Sequence, residues 1–222
     1  MTSRFTAIAA GFLILTLMSG CTLLPERPTK PTFMLPGPEL AEVSQAATPL
    51  TLRVLTPQAE SPLNGTRILV NPEGHAIQVY GGARWSKLTP ALVRDHWIEG
   101  LRQSKGLKAV IGASSNATST LSLGSDLTRF QIEYSQGQAE VVIQLDAQLL
   151  ESGSNQVLAA QRFLVQQAID DKPVESIIAG FGAANQLLTE QLVAWVLRVS
   201  RGIYQEKGQA RPLSDTESST TE

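Results

Sequence analysis

The chain has 222 residues, of which 42% are hydrophobic and 17% are charged, and its formal net charge is -2 at pH 7. This composition excludes a disordered chain and fits one globular domain of ordinary size with flexible ends. Lysine and arginine do not outnumber the acidic residues, at 18 against 20, so no nucleic-acid partner is expected.

The first residues have the pattern of a bacterial lipoprotein signal. One arginine precedes an almost unbroken apolar run over residues 7–18, which is shorter than the roughly 20 residues that a membrane-spanning helix needs. The segment Met18–Cys21 resembles a bacterial lipobox, in which cleavage follows Gly20 and the cysteine thiol is acylated. We therefore predict a signal peptide over residues 1–20 and lipidation of Cys21, the single cysteine. The alternative is an ordinary secretory signal with an incidental cysteine.

Residues 21–49 are predicted to form the lipid anchor and a proline-rich tether. Six prolines in this stretch favour an extended, semi-rigid chain that holds the body away from the lipid surface. An apolar island at 32–36 is predicted to be either a first short strand or a segment packed on the body. Thr22, and not aspartate, follows the cysteine. By resemblance to the enterobacterial sorting rule, this favours the outer membrane over the inner one.

The folded domain is predicted over residues 50–203, with a disordered tail over 204–222. Segments with period-two alternation predict strands, and apolar spacings of three and four predict amphipathic helices. Thr89 is the predicted N-cap of the first helix and Pro90 its first residue. The predicted strands are 50–55, 67–70, 76–80, 107–111, and three long ones that begin near 121, 139 and 157. The third of these strands is predicted to end at Gly81-Gly82. The predicted helices run from Thr89 to a stop at Gly106, and from Pro173 to a stop at Gly202.

The long strands contain a change of phase. Leu121 and Leu123 are apolar at odd positions, whereas Phe130 and Ile132 are apolar at even ones. A period-two pattern can change phase only through an irregularity, so a bulge or bend is predicted near residues 124–126. Turn signals at Gln136-Gly137 and at 152–155 predict hairpins between these strands.

The order of these elements predicts a single α+β domain. Its sheet is expected to be mostly antiparallel with long meander strands, and two amphipathic helices are expected to pack on it. Gly180 and Gly182 in the last helix predict a close approach by a neighbouring element, either the sheet or another subunit.

Four motifs follow one another along the chain: the lipobox, an aromatic-x-Leu-Pro segment at 33–36, Thr-Arg-Ile-Leu-Val at 66–70, and Ala-Arg-Trp-Ser-Lys-Leu at 83–88. In this order, over roughly residues 21–201, they resemble the ABC-type transport auxiliary lipoproteins. These are the small partners of paraquat-inducible and other mammalian-cell-entry (MCE) systems. Lys87 stands where the family often has a proline, which affects the details of a partner surface.

The resemblance implies a lipoprotein held in the outer membrane by its acyl chains and facing the periplasm. It implies a non-catalytic accessory that binds a periplasmic MCE-domain protein, and with it the ABC transporter that moves lipids between membranes. A ring of identical copies is a further option, since closed symmetry is common among such assemblies. The alternative is an assembly lipoprotein that supports an outer-membrane barrel or lipopolysaccharide export.

Enzyme chemistry finds little support in the sequence. The chain has two histidines, His75 and His96, and no residues with the spacing of metal ligands. It has no phosphate-binding glycine-rich loop and no Gly-x-Ser-x-Gly elbow. We therefore predict no enzyme, no metal and no cofactor. An envelope hydrolase would need a pocket that holds His96 in hydrogen-bond contact with a carboxylate.

Trp85, Arg84 and Leu88 are the candidate interface residues. Trp85 lies in the predicted strand-to-helix loop, and an exposed tryptophan in a loop often anchors an interface. The alternative is that Trp85 fills the core under the first helix.

Overall fold

The computed structural model describes residues 30–42, 46–72, 76–170 and 172–209. Every strand and helix that the pattern predicted is present in this part of the chain, and the apolar island near residue 32 contributes a short first strand. The elements, in chain order, are β1 (Thr32–Phe33), β2 (Thr48–Val54), β3 (Arg67–Asn71), β4 (Gln78–Trp85), α1 (Thr89–Gln103), β5 (Leu107–Gly112), β6 (Leu121–Ser135), β7 (Gln138–Glu151), β8 (Val157–Ile169) and α2 (Val174–Gln209).

The long strands β6, β7 and β8 form the predicted antiparallel meander. Gln136 and Gly137 join the first two strands, and both have positive φ angles, 53° and 78°. Two such residues in succession are typical of the type I′ turn that matches the twist of a hairpin. Asn155, with φ 57°, lies in the second turn. Both predicted hairpins are therefore confirmed.

The predicted irregularity in β6 is also confirmed, although it lies slightly later than expected. The register between β6 and β7 shifts between Leu127 and Arg129, so Thr128 is the additional residue. Leu121 and Phe130 are both buried, although they lie at odd and even positions on either side of the bulge. The change of phase requires one extra residue but does not specify which residue bulges out.

The remainder of the sheet corrects the prediction of a mostly antiparallel sheet, which is wrong. The sheet is mixed, and its parallel pairings are β1 with β4, β2 with β5, β2 with β6, and β3 with β6. The strand order is β1-β4-β3-β6-β2-β5. In addition, β7 pairs with β6, and β8 pairs with β7. Alternation along a strand shows which face a residue occupies, but it carries no information about the neighbouring strand. Parallel partners are joined by long connections that leave no hairpin signal.

Strand β4 continues through Gly81-Gly82, where its end was predicted. Its pairing with β3 is irregular there, since Leu69 lies opposite Val79 while Arg67 lies opposite Arg84. The ring of Tyr80 covers Gly82, and a Cβ atom on Gly82 would lie 3.2 Å from Cε1 of that ring. The glycine pair thus allows an irregular stretch within the strand and does not end it.

The N-terminus of α1 differs from the prediction in one residue. Leu88, and not Thr89, occupies the N-cap position, and no side chain caps the helix. The Thr89 hydroxyl donates to the carbonyl oxygen of Gly65 at 3.0 Å. This hydrogen bond ties the start of the helix to the loop before β3, which explains why the hydroxyl is not used as a cap.

The two predicted helix stops behave differently. α1 ends before Gly106, and a Cβ atom on Gly106 would lie 2.6 Å from Cδ2 of Leu197 in α2. α2 runs past Gly202 to Gln209, so the predicted stop at Gly202 is wrong. A single glycine costs a helix about 1 kcal/mol and need not break it. Among the helices that the structure describes, none has the length and hydrophobicity of a membrane span.

Residues 30–42, which the sequence assigned to the tether, lie against the folded body. Leu35 is buried, and the side-chain amide of Gln186 on α2 holds the backbone of Glu39. The Glu39 N–H donates to Oε1 (2.9 Å), and Nε2 donates to the Glu39 carbonyl oxygen (2.8 Å). The Leu40 N–H donates to Oε1 of Gln103 at 3.0 Å. Residues 34–42 are therefore a docked segment, and we use this name below.

The helices pack closely on the rest of the body. α2 packs on β7 and β8, and α1 packs on α2 and β5, which confirms the α+β domain with two helices on the sheet. A Cβ atom on Gly180 would collide with Cγ2 of Ile169 in β8, and one on Gly182 would lie 2.7 Å from Pro36. The predicted close approach is confirmed, and at Gly180 the neighbour is the sheet, as one of the two alternatives held. At Gly182 the neighbour is the docked segment, which the prediction did not include.

Replacing Gly180 with alanine is expected to lower the free energy of unfolding by about 1–3 kcal/mol, the usual cost of overpacking. Gly202→Ala on the same helix is the matched control. Nothing lies within 4 Å of a Cβ atom at Gly202, so alanine there is expected to raise the free energy of unfolding by up to about 1 kcal/mol. Urea denaturation measures both changes. A stabilised Gly180→Ala variant would contradict the packing of α2 on β8.

Candidate functional site

Trp85 is buried, with 1% of its surface exposed. Its ring contacts Phe130 of β6 and Phe181 of α2 edge-on, with ring centroids 5.8 and 5.1 Å away. The two phenylalanine rings lie 4.8 Å apart. Phe33 of β1 is the strand partner of Trp85. The tryptophan therefore fills the core, as the alternative interpretation held, but its ring neighbours belong to β6 and α2 and not to the first helix, under which that interpretation placed it. It positions the exposed residues on either side of it.

Arg84 and Leu88, the other candidate interface residues, lie on the surface. The Arg84 N–H donates to the carbonyl oxygen of Pro31 (3.2 Å), and its Nε donates to Oγ1 of Thr32 (3.1 Å). Leu88 is 50% exposed at the N-cap of α1. The structure thus brings these two residues to one end of α1, and a partner surface there remains a prediction.

Met34 adds an apolar side chain to this region that the sequence analysis missed. It is 75% exposed. The Ser86 N–H donates to the carbonyl oxygen of Phe33 at 2.8 Å, so Met34 leaves β1 beside the segment that leads into α1. Alternation could have found it, because Phe33 and Leu35 on either side point inward. The exposed side chains at this place form what we call the junction surface: Met34, Arg84, Lys87 and Leu88.

A charged network fixes Lys87. Its Nζ donates to Oδ2 of Asp95 (2.7 Å), and Arg94 donates from Nη2 to Oδ1 of Asp95 (2.7 Å) and from Nη1 to Oγ1 of Thr56 (2.7 Å). Partial burial alone would raise the pKa of the Asp95 carboxyl, but the hydrogen bonds from Lys87 and Arg94 outweigh it and hold that pKa below its ordinary value of 3.8. Arg84 has no carboxylate partner among the described residues. The junction surface is therefore apolar, with Arg84 as its cation without a carboxylate partner in the described part of the chain.

His96 follows Asp95 on α1 and faces the docked segment. Burial lowers the pKa of His96 below its ordinary 6.5, although the Asp95 charge and the Leu35 carbonyl act in the opposite direction. Its Nδ1 is buried without a hydrogen-bond partner in the described part of the chain. No carboxylate is hydrogen-bonded to His96 among these residues, so the structure does not assemble the site that a hydrolase would need.

A groove of about 470 Å³ lies between the 58–63 loop and β6. Leu69 and Leu127 line it, and Glu60 and Asp126 lie in the same groove. Neither carboxylate is hydrogen-bonded to a histidine or serine in the described part of the chain. No group of three or more His, Cys, Asp or Glu side chains in that part could hold a metal ion. The groove offers apolar contact beside acidic groups, without a nucleophile paired with a base.

The predicted cleavage after Gly20, the lipidation of Cys21, and His75 lie outside the described residues. Cleavage after Gly20 and lipidation of Cys21 therefore stay predictions from the lipobox.

Comparison with known proteins adds a family and a fold. A family model described as the ABC-type transport auxiliary lipoprotein component matches residues 33–193. A solved protein from Xanthomonas campestris is 25% identical, with a TM-score of 0.73, and the match covers 78% of this chain and 99% of that one. An uncharacterized protein is 16% identical, with a TM-score of 0.60 and coverages of 76% and 99%. A hypothetical protein from Chlamydia trachomatis is 7% identical, with a TM-score of 0.51 and coverages of 70% and 99%. None of the curated proteins compared with the chain matches it.

The lowered pKa of His96 predicts a pH-dependent stability. Near pH 6 the unfolded chain binds more protons than the folded one, so the free energy of unfolding falls as the pH drops through the ordinary pKa of 6.5. His96→Gln removes this difference and is expected to lose less stability than the wild type between about pH 7.5 and about pH 5.5. Urea denaturation at the two pH values tests this, with His75→Gln as the control. Equal losses in the wild type and His96→Gln would show that His96 does not contribute.

Proposed function

The chain belongs to the family of ABC-type transport auxiliary lipoprotein components, and from this premise we propose that it is an outer-membrane lipoprotein of the periplasmic face. In this role it is a non-catalytic accessory of an ABC/MCE-type system that transports lipids between membranes. The observation that carries the proposal is the family match over residues 33–193, preceded by the lipobox that ends at Cys21.

The chain between the predicted anchor at Cys21 and the folded body is short. Cys21 precedes Lys30, the first described residue, by nine positions. A chain of nine residues spans at most about 32 Å when fully extended. An acylated Cys21 would therefore keep Lys30 within about 32 Å of the bilayer. This short reach supports an adaptor that works close to the membrane surface.

The junction surface is the place where we propose that the periplasmic MCE-domain protein binds. Met34 and Leu88 offer exposed apolar contacts, and Arg84 adds a positive charge beside them, whereas the charge of Lys87 is paired with Asp95. An apolar centre with charges at its rim is a common design of protein interfaces, and the charge of Arg84 favours an acidic partner surface. Trp85 supports this surface from the core and does not touch the partner. A ring of identical copies remains a prediction from the sequence.

Loss of the acyl anchor is expected to change the location of the protein. The wild-type chain should fractionate with the outer membrane and take up labelled palmitate, because two or three acyl chains hold a protein stably. Cys21→Ser should take up no label and appear in the soluble periplasmic fraction. Thr22→Asp is the matched control, since it keeps the anchor and should move the protein toward the inner membrane. Membrane fractionation on a density gradient measures all three, and an unlabelled wild type would contradict the anchor.

Substitution at the junction surface is expected to weaken partner binding. Leu88→Glu places a negative charge at an apolar contact, and binding of the MCE-domain protein should fall by about tenfold or more. Leu164→Glu is the matched control, because Leu164 on β8 is also 50% exposed. Affinity capture from detergent-solubilised envelopes measures the partner recovered by each variant. Recovery of no MCE or transporter component by the wild type would overturn the proposed function, and equal recovery by both variants would overturn the proposed surface.

A further inference from the structure

A second groove lies between the docked segment and the C-terminal half of α2. Its volume is about 560 Å³, which is within the usual range of about 300–1,000 Å³ for ligand sites. Glu39, Leu40 and Ala41 form one wall, and Ser104 at the end of α1 closes part of it. The other wall is a single face of α2.

That face of α2 is an apolar stripe with charged ends. The stripe consists of Val193, Ala194 and Leu197, which lie at helical spacings of one, three and four residues. Ala194 is exposed, whereas Val193 and Leu197 are 4% and 2% exposed and form the floor of the groove. Glu190 lies before the stripe and Arg201 after it. At a rise of 1.5 Å per residue, these two ends are about 16 Å apart along the helix. The apolar stripe between these ends, called the trough below, spans about 6 Å from Val193 to Leu197, which is room for the first few methylenes of one hydrocarbon chain.

The positive end of the trough has two uncompensated charges. Arg198 and Arg201 line the groove and form no ion pair with any acidic residue in the described part of the chain. By contrast, Arg94, Arg129 and Arg162 each pair with a carboxylate. The opposite end of the trough carries Glu39 and Glu190. An amphiphile would therefore bind with a negatively charged head at the arginine end.

Tyr204 favours a membrane lipid over a soluble compound as this amphiphile. It is 48% exposed and lies three residues after Arg201, so it is on the same side of α2. Tyrosine is enriched at membrane–water interfaces, and arginine binds phosphate through paired hydrogen bonds. An exposed tyrosine beside two free arginines thus matches the headgroup layer of a bilayer better than a soluble phosphate compound.

We propose that this groove binds an anionic phospholipid. The part of one acyl chain next to the headgroup lies on Ala194, between Val193 and Leu197, and the phosphate contacts Arg198 and Arg201. This goes beyond the proposed function, because an adaptor between proteins needs no lipid site of its own.

The test uses the exported chain carrying Cys21→Ser, so that no acyl anchor contributes to binding. Its flotation with phosphatidylcholine vesicles is compared with flotation with vesicles that also contain phosphatidylglycerol. Native mass spectrometry counts the lipids bound per chain. We expect binding to the anionic vesicles and one lipid per chain. Arg198→Gln with Arg201→Gln should weaken this binding by about tenfold or more.

Two further variants separate the groove from general charge attraction. Arg67→Gln with Lys108→Gln removes the same two charges from exposed residues elsewhere, and it should retain binding. Ala194→Trp fills the trough without changing the charge, and it should abolish the bound lipid, whereas Ala194→Ser should retain it. Circular dichroism and thermal unfolding confirm that each variant is folded.

Several outcomes would overturn the proposal. These are failure of the unanchored chain to bind either kind of vesicle, an equal loss in the two charge-matched double variants, and full retention of lipid by a folded Ala194→Trp. None of them bears on capture of the MCE-domain protein, so the lipid site and the proposed adaptor function can fail separately.

Discussion

The packing of Trp85 against Phe130 and Phe181 is the interaction on which the rest of the structure depends. It joins β4, β6 and α2, and aromatic pairs contribute about 0.5–1.5 kcal/mol each beyond the burial of their area. Two irregularities make the contact possible. The bulge at Thr128 turns Phe130 toward the core, because a strand without it would place that side chain on the opposite face. The irregular pairing of β4 with β3 ends before Trp85, whose indole then points inward.

The same cluster explains the position of the docked segment. Phe33 pairs with Trp85, Leu35 is buried beyond it, and Pro36 lies on Gly182 one residue after Phe181 in α2. The chain that precedes the main sheet is thereby held on the helices. This placement has a functional consequence, since docking removes these residues from the free tether and brings the body closer to any anchor at Cys21. The lipobox and the fold together thus determine how far the body could stand from a membrane.

The described surface carries two regions for which we propose binding. At the start of α1, the junction surface combines the exposed apolar side chains of Met34 and Leu88 with the cation Arg84, and the buried Trp85 lies beneath it. Along the end of α2, an apolar trough lies beside unpaired arginines. Asp95 is paired with Lys87 and Arg94, and Asp126 lies in the groove beside Leu127. The junction surface and the trough are the surfaces on which the two proposals rest, and the chain that carries them belongs to the family of ABC-type transport auxiliary lipoprotein components.

The sequence by itself determined the features that depend on neighbouring residues. These include the hairpin at Gln136-Gly137, the start of α1 to within one residue, the need for a bulge in β6, and the lipobox and motif order that resemble one family. Only the tertiary structure decided the parallel partners of β6, the burial of Trp85 and the docking of residues 34–42. These features depend on contacts between residues far apart in the chain. Local periodicity reports the face that a side chain occupies, but not the element that covers that face.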